Sequence, residues 1–172
     1  MSDLTQNQRA HDLETMLREI YCEGCEIAPV LCVPPYWERH DPNPNISWTW
    51  NTVPFKEECR NDVPDDKHGI YSFVVRTGLV EHPHFTILLY VGKADRMSFR
   101  QEFSRYFSEM KSFKRMPFSR WLYQCRNYLY FCFCSIDDAS LIDTEERKLN
   151  NALLPPGNER FDGLLNPARR AF

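Results

Sequence analysis

The run Gly69-Ile70-Tyr71-Ser72-Phe73-Val74-Val75-Arg76, followed after a linker containing Gly78 and Pro83 by Phe85-Thr86-Ile87-Leu88-Leu89-Tyr90-Val91, decides the fold. Both stretches are rich in β-branched and aromatic residues and are bounded by turn formers, so they read as two strands compatible with a hairpin. Residues i and i+2 of a strand share a face, which sets Gly69 beside Tyr71 and Gly92 beside Tyr90. Symmetric pairing about Val80 and Glu81 places Tyr71 opposite Tyr90 and Gly69 opposite Gly92, leaving a bare patch that a backbone or ligand could approach closely. The same residues also read as a cross-strand aromatic pair whose glycines only mark strand ends.

Downstream, Phe99, Phe103, Tyr106, Phe107 and Met110 recur at helical spacing through residues 96–110, and residues 117–126 read as a second, short helix. Residues 128–136 form a strand pattern in which Cys132 and Cys134 alternate, and a last helix over 139–154 is opened by Asp137, Asp138 and Ser140 and stopped by Pro155 and Pro156. The predicted order β, β, α, short α, β, α describes an α+β domain with a small, mainly antiparallel sheet flanked by helices.

Upstream the pattern weakens. Thr5 and Gln8 stand at capping-box spacing before the apolar stripe Leu13, Met16, Leu17 and Ile20, which predicts a covering helix over residues 5–21. From Cys22 to Asp66 the chain is rich in Pro, Asn and acidic residues, with extended candidates at 27–33 and 46–53. Residues 1–66 are therefore read as an N-terminal extension accessory to a core domain over 67–172. Cys22 and Cys25, with Cys32, Cys59 or a histidine, suggest a zinc module, but a single CxxC lacks its second pair. Trp48 and Trp50 share a face if extended, a pattern that serves base stacking or a core.

Composition narrows the class. A chain of 172 residues with 42% hydrophobic content supports one sizeable core. No stretch approaches the roughly 20 apolar residues needed to span a bilayer, and the start is polar and acidic. The expectation is a soluble, cytoplasmic protein without a membrane partner. Seven cysteines suit buried free thiols in a reducing compartment. The net charge of −3 conceals an asymmetry: residues 1–70 carry 6 Lys and Arg against 13 Asp and Glu, and residues 71–172 carry 15 against 11. The second part suits a nucleic-acid partner.

In the last helix Ile142, Glu146, Leu149 and Leu153 fall on one face, so Glu146 interrupts an apolar stripe. A carboxylate there must be paired, hydrogen-bonded or metal-bound. A slight rotation of the helix would instead let it reach out from the stripe's edge. Glu145, about 100° around, is expected in solvent. Between Tyr90 and Tyr130 nine basic residues face three acidic ones. Arg100 lies one turn into its helix, where free N–H groups and the helix dipole suit a phosphate.

Taken together, Gly69-Ile70-Tyr71, Tyr90-Val91-Gly92, Arg100 ten residues after Tyr90, Glu146, and Asn158 twelve residues after it resemble the ordered motifs of the GIY-YIG nuclease superfamily. The resemblance covers about residues 67–160 and implies a β-β-α-β-α core. Two features depart from the family: the stretch between the tyrosines is long, and Ser104 stands where a histidine is often found.

The resemblance implies an endonuclease that hydrolyses DNA to 5′-phosphate and 3′-hydroxyl ends, in phage, mobile-element, restriction or defence biology. Glu146 would bind one Mg2+ or Mn2+, and Tyr71 would act as general base, its pKa lowered by Lys93 or alternatively by His68. Tyr90 would position water or phosphate, Arg100 would stabilise the phosphorane charge, and Asn158 would hold the local backbone. Lys93, Arg100, Arg105 and Arg115 are the expected DNA contacts, and a homo-oligomer is compatible with the pattern. The competing expectation is a degenerate member that binds DNA or a protein without cutting.

Overall fold

The structure is a computed structural model that describes residues 37–76, 86–112, 118–159 and 161. The helix expected over 5–21, Cys22, Cys25, Cys32 and Arg115 lie outside these residues. Four strands, β1 (Trp50–Pro54), β2 (Gly69–Arg76), β3 (Thr86–Ala94) and β4 (Leu129–Ser135), form one antiparallel sheet in the order β1-β4-β2-β3. Among the described residues the sheet is flanked by the helices α1 (Phe99–Ser112), α2 (Phe118–Gln124) and α3 (Ala139–Leu153). The α+β class is as expected.

Strand β2 is buried at every position but Arg76, which explains why its sequence is an almost continuous apolar run. Alternation sends Tyr71, Phe73 and Val75, with Phe131 and Phe133 of β4, to one face, where Phe99, Phe103 and Tyr106 of α1 and Trp121 and Leu122 of α2 cover them. The other face carries Ile70 and Val91 against Ile46, Ile136 and Ile142, the last from α3. The two faces are therefore roofed by different helices. Cys132 and Cys134 are buried free thiols, as their alternation predicted.

The hairpin register differs from the symmetric one. Tyr71 stands opposite Gly92, Phe73 opposite Tyr90 and Gly69 opposite Ala94. A two-residue displacement keeps every side chain on its face, so the apolar pattern does not discriminate between the two registers. A bulge near Phe73 and Val74 then brings Leu89 and Tyr90, neighbours in sequence, onto the same core. The expected bare patch is filled: a Cβ on Gly92 would lie 2.6 Å from Tyr90 Cε1 and 2.7 Å from the Tyr71 hydroxyl.

The boundary expected after residue 66 also requires correction. Strand β1 pairs with β4 along its length, and Phe55 and Val63 are buried in the larger core. Phe55 stacks on Phe107 with ring centroids 4.3 Å apart. The prolines that obscured this segment only punctuate it: Pro54 ends β1, and Pro64 follows a 3-10 turn over Glu57–Asp62. Trp48 is half-buried against the second core, whereas Trp50 is 40% exposed. No helix among the described residues is long and apolar enough to cross a membrane.

Candidate functional site

Tyr71 is carried by the central strand to a position under α1. Its hydroxyl donates to Glu102 Oε2 at 3.1 Å and meets the Tyr106 hydroxyl at 2.9 Å. Glu102 Oε2 also accepts from Arg105 at 2.6 Å, and Arg105 reaches Glu109 at 3.1 Å and lies over the Tyr106 ring. Tyr90, half-buried, hydrogen-bonds to Tyr106, which links both motif tyrosines to one network. Burial, then the neighbouring Tyr106, Tyr90 and Glu102, push the Tyr71 pKa well above the ordinary tyrosine value.

This network revises three expectations. The Tyr71 pKa moves away from the direction a general base requires. Its hydroxyl is linked through Glu102 to Arg105, whereas Lys93 is paired with Asp143 and Asp95. Arg105 is itself committed to two carboxylates rather than presented to DNA. Glu102, Tyr106 and Glu109 were missed in the sequence, although Glu102 and Glu109 flank Arg105 at i−3 and i+4 beside the apolar stripe of α1, a spacing that pairs charges across a helix face.

The N-terminus of α1 is also filled from within the chain. Ser98 and Gln101 form a capping box, with Ser98 N–H donating to Gln101 Oε1 and Gln101 N–H to Ser98 Oγ. Phe99 N–H donates to the Lys67 carbonyl and Arg100 N–H to the Pro64 carbonyl, so the donors expected to hold a phosphate are occupied. Arg100 donates from Nε to the Val63 carbonyl at 2.8 Å and pairs with Asp65 at 3.6 Å. It ties α1 to the segment before β2.

The other face of the sheet holds a second cluster. Lys93, opposite Ile70 in the register, pairs with Asp143 of α3 and with Asp95 at 3.1 Å. Glu146, one turn beyond Asp143, is half-buried and accepts a hydrogen bond from Asn150. Burial raises its pKa, while Asn150 and the Lys93 charge oppose that shift. Helix α3 is rotated from the expected stripe: Ile142, Glu145 and Ala152 are buried, Leu153 is exposed and Glu146 lies at the edge. Glu145, expected in solvent, is 1% exposed and paired with Lys148, with Oε2 lacking a partner.

Asn158 joins these elements. Its Oδ1 accepts from Val91 N–H at 3.0 Å and its Nδ2 donates to the Val91 carbonyl at 2.7 Å, while Gly157 N–H donates to the Leu89 carbonyl. The segment after α3 is thereby pinned to the outer edge of β3. Asn158→Ala should destabilise the fold by about 1–3 kcal/mol, because both Val91 groups lose buried partners. Urea unfolding monitored by tryptophan fluorescence checks this.

Lys93, Glu146 and Asn158 thus converge on β3, with the tyrosines on the sheet's opposite face. Among the described residues no group of three or more His, Cys, Asp or Glu forms a metal cage. A lone, half-buried carboxylate still suits a hard divalent ion that takes its remaining ligands from water and a phosphate. Comparison with protein-family models, curated proteins and solved structures returned no match.

Proposed function

We propose that this chain is a metal-dependent DNA endonuclease of the GIY-YIG type, with Glu146 as its metal-binding carboxylate. The observation that carries this reading is the convergence on β3 of Lys93, Glu146 and Asn158, which are remote in sequence and which the resemblance places in one site. Motif residues kept only for packing have no need to put a carboxylate at the edge of an apolar stripe beside a lysine.

In this reading Glu146 holds Mg2+ or Mn2+, which supplies charge neutralisation at a phosphodiester. Lys93 adds positive charge on the same face and orients the phosphate, exchanging its aspartate partners for phosphate oxygens. Asn158 keeps the β3 backbone in place. Strand β3 is one of the two edge strands of the sheet, so DNA along its edge beyond Val91 can meet Lys93 from one face and Tyr90 from the other. The products are a 5′-phosphate and a 3′-hydroxyl.

A second reading, a DNA- or protein-binding member that does not cut, is favoured by one observation: the Tyr71 hydroxyl is buried and committed to Glu102. Incubation of the protein with supercoiled and branched DNA in Mg2+, Mn2+ or EDTA separates the two. Nicking that needs the divalent ion and disappears in Glu146→Ala supports the endonuclease. Retention of a DNA complex with no cutting of any substrate favours the binding member, and cutting that survives Glu146→Ala overturns the site.

A further inference from the structure

The two faces of the sheet are unequally covered. Helices α1 and α2 roof the face of Tyr71 and Phe73, whereas among the described residues α3 is the only helix on the other. Four strands about 4.8 Å apart make a sheet about 19 Å wide, and one helix covers about 10 Å of it. Beside the C-terminal half of α3 this leaves a groove of about 240 Å³ floored by all four strands. Leu149 and Leu153 form its wall, and Trp50, Thr52 and Leu88 lie in its floor. Trp50 is 40% and Leu153 39% exposed, so the groove presents contiguous apolar side chains to solvent. Arg76 is its charged lining residue; it lies over the Tyr130 ring and has no carboxylate partner among the described residues.

The chain supplies a matching segment beside this groove. The described residues begin at Trp37, and Arg39, His40 and Asp41 lie against Lys148, Asn151 and Ala152 of α3, with Lys148 Nζ donating to the Asp41 carbonyl at 3.1 Å. The chain therefore arrives at the turns of α3 that also carry Leu149 and Leu153. Residues 1–36 bring 2 Lys and Arg against 6 Asp and Glu, and hold the stripe Leu13, Met16, Leu17 and Ile20. In the helix that this spacing predicts, Asp12 and Glu19 border the stripe on one side. An apolar stripe with an acidic border complements an apolar groove with an arginine that no carboxylate pairs. Residues 22–36 reach at most about 50 Å, which holds the stripe near the groove at high effective concentration. The segment beyond Phe161 matches Arg76 poorly, since its Arg169 and Arg170 stand against Asp162 alone.

We propose that residues 5–21 dock in this groove as an amphipathic helix, with the apolar stripe on Trp50, Leu149 and Leu153 and with Asp12 and Glu19 toward Arg76. The segment then completes the second face of the sheet as α1 and α2 complete the first. Its placement is independent of the endonuclease reading.

The test uses the full chain with photo-methionine in place of methionine, illuminated at low protein concentration, with the links mapped by mass spectrometry. Met16 should link within one molecule to residues 50–54, 72–76 or 149–153. Met110, in the larger core, is the control for photolysis. Chymotryptic cleavage within residues 13–21 tracks the undocked fraction. It should quicken about tenfold in Leu153→Asp, which removes an apolar contact from an exposed position, and about threefold in Arg76→Glu. Adding Asp12→Arg and Glu19→Arg to Arg76→Glu should return it toward the native rate. Thermal unfolding confirms that each variant folds.

A Met16 link to another surface, a link found only between isotopically distinguishable copies in a mixed sample, or no Met16 link while Met110 links, overturns the docking. Native-rate cleavage in folded Leu153→Asp and Arg76→Glu overturns it as well.

Discussion

Glu146→Gln should abolish metal-dependent cutting while leaving the protein as stable as before or more so. The loss should be at least on the order of 10³-fold, the equivalent of about 4 kcal/mol of transition-state charge stabilisation given up with the ion. The gain in stability follows from the same burial. Desolvation raises the Glu146 pKa, so the folded protein holds this proton more tightly than the unfolded chain does. The stability that this contributes is complete below the ordinary glutamate value and is lost as pH rises through the raised one.

At neutral pH the ionised carboxylate therefore works against the metal-free fold, and a neutral amide removes that cost. Glutamine also brings a donor near Asn150 Oδ1, which is buried without a partner. A stabilisation of about 0.5–1 kcal/mol is expected, larger at pH 8 than at pH 5. Thermal unfolding at the two pH values, beside plasmid nicking, measures both halves. A group kept for its ligand loses function and gains stability on substitution; a group kept for packing loses both. If Glu146→Gln lowers the melting temperature equally at both pH values, Glu146 is structural.

The elements were legible where local signals agree. Strand β2 was expected at 69–76 and found at Gly69–Arg76, because its apolar run is bounded by Gly69 and a charge. Helix α3 was expected at 139–154 and found at Ala139–Leu153, because Asp138 caps it and Pro155 stops it. The misses share one origin, which is that they depend on contacts remote in sequence. The extended candidate at 46–53 overlaps β1 at Trp50–Pro54, but its place in the sheet was not legible because it depends on the edge that β4 offers. Glu145 is buried because packing on Ile46, Ile70 and Ile136 rotates α3, a choice of tens of degrees that a stripe of four residues does not encode. The donors at the start of α1 looked free because Pro64 and Lys67 reach them only once the segment before β2 is folded. The candidate site was legible as a set of residues and not as a geometry: Glu146, Lys93 and Asn158 meet at β3, and Tyr71 faces elsewhere.

Gly69→Ala should cost about 4 kcal/mol and come close to unfolding the protein, more than any change among the motif's charged residues. The backbone at Gly69 has φ +148°, which side chains of L residues rarely adopt. A Cβ would also lie 2.2 Å from the Cys134 carbonyl oxygen and 2.9 Å from the Ile136 nitrogen, both backbone atoms of the neighbouring strand and its exit. Neither yields without opening the β2-β4 ladder, so strain at φ and overpacking of about 1–3 kcal/mol each add up. Gly92 provides the contrast. The atoms nearest its added Cβ belong to the side chains of Tyr71 and Tyr90, and a side chain can tilt where a carbonyl cannot. Urea unfolding of the two alanine variants should show a large drop in midpoint for Gly69 and a smaller one for Gly92. A mild effect at Gly69 would mean that β2 and β4 separate more readily than their register implies. The first glycine of the motif would then not be kept for the close approach of β2 to β4.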